Sequence, residues 1–320
     1  MGAVDLLDRR LLFVTGKGGV GKSTVAAALA LLASRQGKRT LVGEVDAKGN
    51  LADFFEIGPT VFEPRQVAPN LWAMSMQTEE SLKEYLRLQL RIPVLARIGP
   101  LARSLDFVAN AAPGVKEVLT VGKFLFEVRE RKYELVVVDA AATGHVVAQL
   151  AAPQAIQEVV KMGAVREQVG WMLDLLGDPT VTGAVIVASP EEMPVNETIE
   201  LAGRIDKETN VELAAVVVNR VLPELFGRGE EQVFERLCQP EHAALLAEST
   251  GLAPESVGAV LDAAELAVTL RRTRAGHLGR LRASLAEGLP LLYVPELFTR
   301  HHGVRATQLV ADALGEELGY

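Results

Sequence analysis

A nine-residue stretch, GKGGVGKST from Gly16 to Thr24, limits what this chain can become more than any other feature. It follows the apolar run LLFVTG (11–16) and opens an Ala- and Leu-rich segment, KSTVAAALALLASRQGK (22–38). A GxxxxGK[ST] match between a strand and a helix marks a loop that wraps phosphate. The chemistry follows from the residue types. Gly16, Gly18, Gly19 and Gly21 let the backbone turn tightly, so that successive N–H groups face one anion. The helix opening at Lys22 adds the positive end of its dipole. Lys22 is expected to reach the β- and γ-phosphates, the Ser23 hydroxyl to ligate Mg2+, and Thr24 to lie near the α-phosphate, with Val20 completing the nucleotide-binding loop.

Further apolar runs are continuous rather than alternating, as in parallel strands buried on both faces. They are TLVGEVD (40–46), LVVVDA (135–140), GAVIVAS (183–189), LAAVVVN (213–219) and LPLLYVP (289–295), with NLWAMSM (70–76) a weaker case. Amphipathic stretches at Asn196–Lys207 and Val304–Leu318 read as helices. Strand alternating with helix predicts an α/β fold: a mostly parallel sheet with helices on both faces, in one domain over 1–320. Two stretches, approximately 78–131 and 222–288, have helical patterns and no strong strand. They predict helical insertions, which either form a subdomain over an edge of the sheet or extend its core.

Charge and cysteine content narrow the partners. The 33 Lys and Arg against 41 Asp and Glu leave a net charge of −8, so no nucleic-acid partner is expected. The single Cys238 forbids an internal disulfide and a multi-thiol metal site. The start, MGAVDLLDRR, lacks an apolar secretory core, and no apolar run approaches the roughly 20 residues of a membrane span. A cytoplasmic protein is predicted. His301 and His302 read as a polar loop rather than a metal site, because adjacent side chains seldom converge on one ion.

Lys17, directly after the first glycine, is not required by an ordinary phosphate loop. Lys22 already serves the loop's own nucleotide, which leaves Lys17 to cross a twofold interface to a partner's phosphates. A cation supplied in trans to transferring phosphate is worth roughly 10³–10⁵ in rate. Hydrolysis by a dimer is therefore predicted, formed by two copies or by this chain and a related subunit.

The extra-lysine loop resembles that of the class holding MinD and ParA positioning ATPases, the nitrogenase iron protein and the ArsA-type ATPases. A strand ending in Asp139 is where a magnesium-side carboxylate should sit. DAAATGH (139–145) resembles the ArsA-type switch II, DTAPTGH, through Asp139, Thr143, Gly144 and His145, with Ala140 and Ala142 replacing Thr and Pro. The segment beginning at Asp46 resembles the ArsA-type switch I, DPAHNLSDAF, through Asp46, Asn50, Leu51, Asp53 and Phe55, without its Pro and His. PGVKEVLTVGKF (113–124) is similar to the family's PGIDEALSF segment. The chain is identified as a member of the ArsA-type family, near its bacterial single-loop members.

That resemblance implies an ATP-hydrolysing, Mg2+-dependent switch. By it, Asp46 would orient or deprotonate the attacking water, and Asp139 would hold Mg2+ through water. Asn219 would lie against the adenine, with Pro295 and Glu296 in the adenine-side loop. The helical regions would bind a protein client or membrane partner. A groove from Leu82, Leu86, Leu90, Val118, Leu119, Val121 and Leu125 is one possible seat for it, and a core position for those residues is the other reading. Departures exclude two family devices. One cysteine cannot build a three-thiolate metalloid site within a subunit, and without CxxC there is no zinc clasp. Two other readings stay open: a MinD- or ParA-like positioning ATPase, against which the acidic VADALGEELGY terminus counts, and the catalytic subunit of an anion pump lacking its own metalloid site.

Overall fold

Val- and Leu-rich runs become strands here because branched side chains pack well on a pleated surface covered on both sides. In the computed structural model, which describes residues 6–45, 49–89, 114–227, 229–298 and 303–320, they form one sheet. Its strands are β1 (Leu11–Gly16), β2 (Thr40–Glu44), β3 (Arg65–Ala68), β4 (Leu71–Ser75), β5 (Leu135–Asp139), β6 (Thr182–Ala188), β7 (Leu213–Val221) and β8 (Leu291–Pro295). Their order is β3-β4-β2-β5-β1-β6-β7-β8. Only β3 is antiparallel, pairing with β4 at the edge, and it is the strand the apolar pattern does not announce. NLWAMSM does form a strand, β4, in parallel register with β2.

The helices are α1 (Lys22–Arg35), α2 (Asn50–Phe54), α3 (Thr78–Gln89), α4 (Val115–Arg129), α5 (Thr143–Val159) and α6 (Ala164–Gly177). They continue with α7 (Glu192–Glu208), α8 (Glu230–Leu237), α9 (Pro240–Thr250), α10 (Pro254–Ser284) and α11 (Val304–Leu318). Alternation along β1 sorts the two cores. Leu12 and Val14 face α1, α2 and α11, while Leu11 and Phe13 face the layer of α4 to α7. Helix α1 is buried from Val25 to Ser34, which explains an Ala/Leu composition with little polar face. It lies behind the phosphate loop and fixes it against the middle of the sheet.

The two insertions are used differently. In the first, α4 belongs to the sheet-covering layer: Phe124 is fully buried, and its ring fills the space that a Cβ on Gly43 of β2 would need. Lys123 is also buried there, 2.8 Å from both Glu84 and Glu127 and 4.7 Å from the centre of the Phe62 ring. The second insertion, α8 to α10, builds a cluster of its own from Phe234, Ala247, Val257, Leu261 and Val268. The far end of α10 rejoins the sheet-covering layer through Leu281. Of the apolar residues considered for a groove, Leu82, Val118 and Leu119 line a cavity of about 210 Å³ between α3, α4, α5 and α6. Val121 and Leu125 face the core instead. The Leu86 side chain and Leu90 lie outside the described set. Among the described residues no helix is long and apolar enough to cross a membrane.

Candidate active site

The phosphate loop joins the carboxyl end of the central strand β1 to the amino end of α1. Three of its glycines, Gly16, Gly19 and Gly21, hold positive φ, and two of them also lack room for a side chain. Gly16 has φ 145°, and a Cβ there would strike the Val187 carbonyl oxygen of β6. Gly21 has φ 93°, and a Cβ there would strike the Asn219 amide. At Gly18, in contrast, a Cβ would meet nothing within 4 Å. The loop is thus packed from behind and open in front, as a cradle for phosphate must be. Gly21 is the N-cap of α1, and no side chain caps that end. The first turn, Lys22, Ser23 and Thr24, therefore offers N–H groups and its dipole to an anion. Lys22 Nζ donates to the Lys17 carbonyl at 3.3 Å, so its ammonium lies over the loop itself.

Switch II is tied to the same strand. Along β5, Leu135 and Val137 face α1, and alternation puts Asp139 on that face too. Asp139 is buried, opposite Val14 on β1 and Glu44 on β2. The Ala140 N–H donates to Val14 O at 2.9 Å, and Thr15 Oγ1 donates to Ala141 O at 2.9 Å. Beyond this anchor the chain opens α5: Thr143 is half-buried, and Gly144 and His145 are exposed. On the switch I side, Asn50 opens α2 behind the N-cap Gly49. Asp46 and the Asn50 side chain lie outside the described set, as do His301 and His302.

Asn219 reaches the loop from β7, and its amide is engaged with backbone there. Its Nδ2 donates to Val20 O at 2.8 Å, and its Oδ1 accepts from the Arg220 N–H at 3.0 Å. A register shift between Val218 and Val221, with Arg220 at φ 61°, turns the amide toward the loop. Pro295 pairs with Val221, and the Glu296 N–H donates to Val221 O at 2.9 Å. Pro295 and Glu296 therefore sit beside the strand that carries Asn219. Phe298 is 79% exposed and packs into no core.

Two carboxylates at this end of the sheet have no motif to announce them. Glu44 is buried, accepting from Thr60 at 2.9 Å and Ser75 at 2.5 Å, and its Oε2 has no partner among the described residues. Its placement in the GEVD strand end, two residues before Asp46, was the available signal. Glu197 of α7 ion-pairs with Lys17 at 2.5 Å. A glutamate on an amphipathic helix 180 positions away carries no local signal of such a role. Desolvation, then Glu265, Asp262 and Glu235, push the Cys238 thiol above the ordinary range, which disfavours the thiolate. Among the described residues no group of three or more His, Cys, Asp or Glu is arranged to hold a metal ion.

A phosphate cradle of this geometry is shared by many enzymes, and comparison with known proteins narrows it. The family model described as the anion-transporting ATPase matches residues 9–175 and 158–239. The chain belongs to that family. It is an ATPase, splitting ATP with water into ADP and phosphate. ATPase BagA of Mycobacterium tuberculosis is 30% identical over 301 residues, covering 90% of this chain and 86% of BagA. An ATPase ASNA1 homolog of Entamoeba dispar is 25% identical over 251 residues, covering 66% of this chain and 76% of that one. ATPase GET3 of Podospora anserina is 30% identical over 182 residues, 54% of this chain and 53% of GET3. The similarity therefore extends well beyond the loop, and the ArsA-type expectation holds.

Proposed function

We propose that this ATPase is a cytoplasmic, dimeric, Mg2+-dependent switch, whose nucleotide state sets the binding of a partner. The observation that carries the reading is the loop itself: open in front at Gly18, closed behind by Val187 and Asn219, with a second lysine that does not lie on its own loop. Gly16 to Thr24 bind the triphosphate, with Lys22 on the β- and γ-phosphates. Ser23, in the first turn of α1, and the buried Asp139 at the end of β5 would hold a Mg2+ ion at the α1 face, and the ion would supply charge neutralisation of the phosphates. Asp46 orients the attacking water, and its proton passes to that carboxylate or directly to phosphate as the terminal P–O bond breaks. Lys17 reaches the partner's phosphates as that bond breaks. Asn50, Thr143, Gly144 and His145 carry the change of nucleotide state outward. Asn219, Pro295 and Glu296 bound the base.

One domain over 1–320 thus bears both the chemistry and the helical insertions. The ArsA-type resemblance ranks a membrane-protein or other hydrophobic client ahead of a nucleic acid, which the net charge of −8 also disfavours. The test is Lys17→Ala. Turnover should fall by about 10³ or more, the scale of a trans cation, while nucleotide affinity stays within a few-fold by equilibrium titration. Full turnover of that variant, or a fully active particle that sediments as a monomer with ATP bound, overturns the trans-lysine reading.

A further inference from the structure

Lys17 is already engaged inside its own chain. Its Nζ lies 2.5 Å from Glu197 Oε1, and both side chains are about one-third exposed, at 29% and 31%. The pair joins the loop to α7, whose buried face holds Val195, Leu201 and Ile205 against the sheet. Helix α7 also packs on α5, which begins with the switch II residues, and on α10, the long helix of the second insertion. An ammonium held by Glu197 cannot at the same time lie on a phosphate in another subunit, because one compact charge has one closest counter-ion.

We infer that Glu197 is a positioning residue that parks Lys17 in cis, and that dimer closure requires the exchange of this carboxylate for the partner's phosphate. The inference rests on the trans-lysine reading above and adds what opposes it. Glu197 favours the separated subunits, so it keeps the basal rate low and makes turnover depend on protein concentration. Because α7 also touches the switch II helix and α10, a partner that shifts α7 would release Lys17 and promote closure. Each dimer must open two such pairs. A part-exposed ion pair shifts an equilibrium by about threefold, so the dimer dissociation constant changes by the square, about tenfold.

Turnover per subunit of Glu197→Gln is measured across protein concentration, alongside dimer content by sedimentation with a non-hydrolysable ATP analogue. Glu192→Gln removes a charge from the exposed start of the same helix and is the control. Glu197→Gln should move the half-maximal concentration about tenfold lower with an unchanged plateau, while Glu192→Gln stays within about twofold of the parent. Glu197→Asp, which keeps the charge but retracts it by one methylene, should fall between them. An unshifted or raised half-maximal concentration in both Glu197 variants overturns the inference, and so does loss of plateau turnover with normal dimer content. The two readings fail separately. An inactive Lys17→Ala with unshifted Glu197 variants sinks the cis contact alone, whereas an active Lys17→Ala sinks the trans lysine beneath it.

Discussion

Helix α4 of the first insertion presses Phe124 so close to β2 that Gly43 has no room for a methyl group. Helices α8 to α10 of the second instead close around Phe234, in a cluster apart from both cores of the sheet, and leave Leu245, Leu252, Val260 and Leu266 more than half exposed. Both regions read alike as helix-rich stretches between strands. The difference lies in what each helix buries. The first is part of the body built on the sheet. The second closes on itself at α8, α9 and the start of α10, while the far end of α10 is anchored in the sheet-covering layer by the fully buried Leu281. Polar contacts add to this anchor: Arg271 donates to the Leu222 carbonyl, and Arg274 donates to the Arg220 carbonyl at 3.4 Å. Arg220 directly follows Asn219, so these contacts meet the chain where it holds the phosphate loop.

The strongest way to break this comparison is in the welded insertion. Phe124→Ala should cost about 3–5 kcal/mol, the range for emptying a buried aromatic site, and should lower the midpoint of a single denaturant transition. A loss below about 1 kcal/mol would show that α4 is not part of the common core. Phe234→Ala removes a ring stacked 4.8 Å from Phe226, and its effect should stay local. Amides of 230–268 should exchange at least about tenfold faster, while those of β1, β5 and β6 keep their protection. Equal acceleration in the strands would merge the two regions into one cooperative unit.

The smallest effect sharpens the picture of the first insertion. Tyr133 follows α4 with its ring 5.5 Å from Trp72. Burial, then the charges of Glu127 and Glu63, push its phenol up from 10.0 to about 12. The native state therefore holds that proton more tightly than the unfolded chain. Its contribution is complete below pH 10.0 and is lost as pH rises through about 12. Tyr133→Phe should flatten that alkaline limb of the denaturation midpoint, and an unchanged limb would show that another group titrates there.

Much of the fold was legible because parallel strands buried on both faces leave uninterrupted apolar runs, and seven of the eight strands show one. Strand β3 (Arg65–Ala68) was not legible: its residues are half-exposed or exposed, so an edge pairing rather than a pattern makes it. The glycine turn between β1 and α1 was legible, since Gly16, Gly19 and Gly21 all take the positive φ that such a turn needs. The partners of that loop were not. Beside the base contact expected of it, Asn219 holds Val20 O, and Glu197 drew no attention as one acidic residue on a polar helix face.

From its residues alone this protein had its phosphate chemistry and its α/β alternation, because both depend on backbone conformation and side-chain period over a few neighbouring positions. Tertiary structure decided which carboxylate Lys17 meets, which insertion joins the sheet, and how β7 grips the loop through Asn219. Those contacts join positions far apart in the chain, and only the packing of separate elements determines their distances.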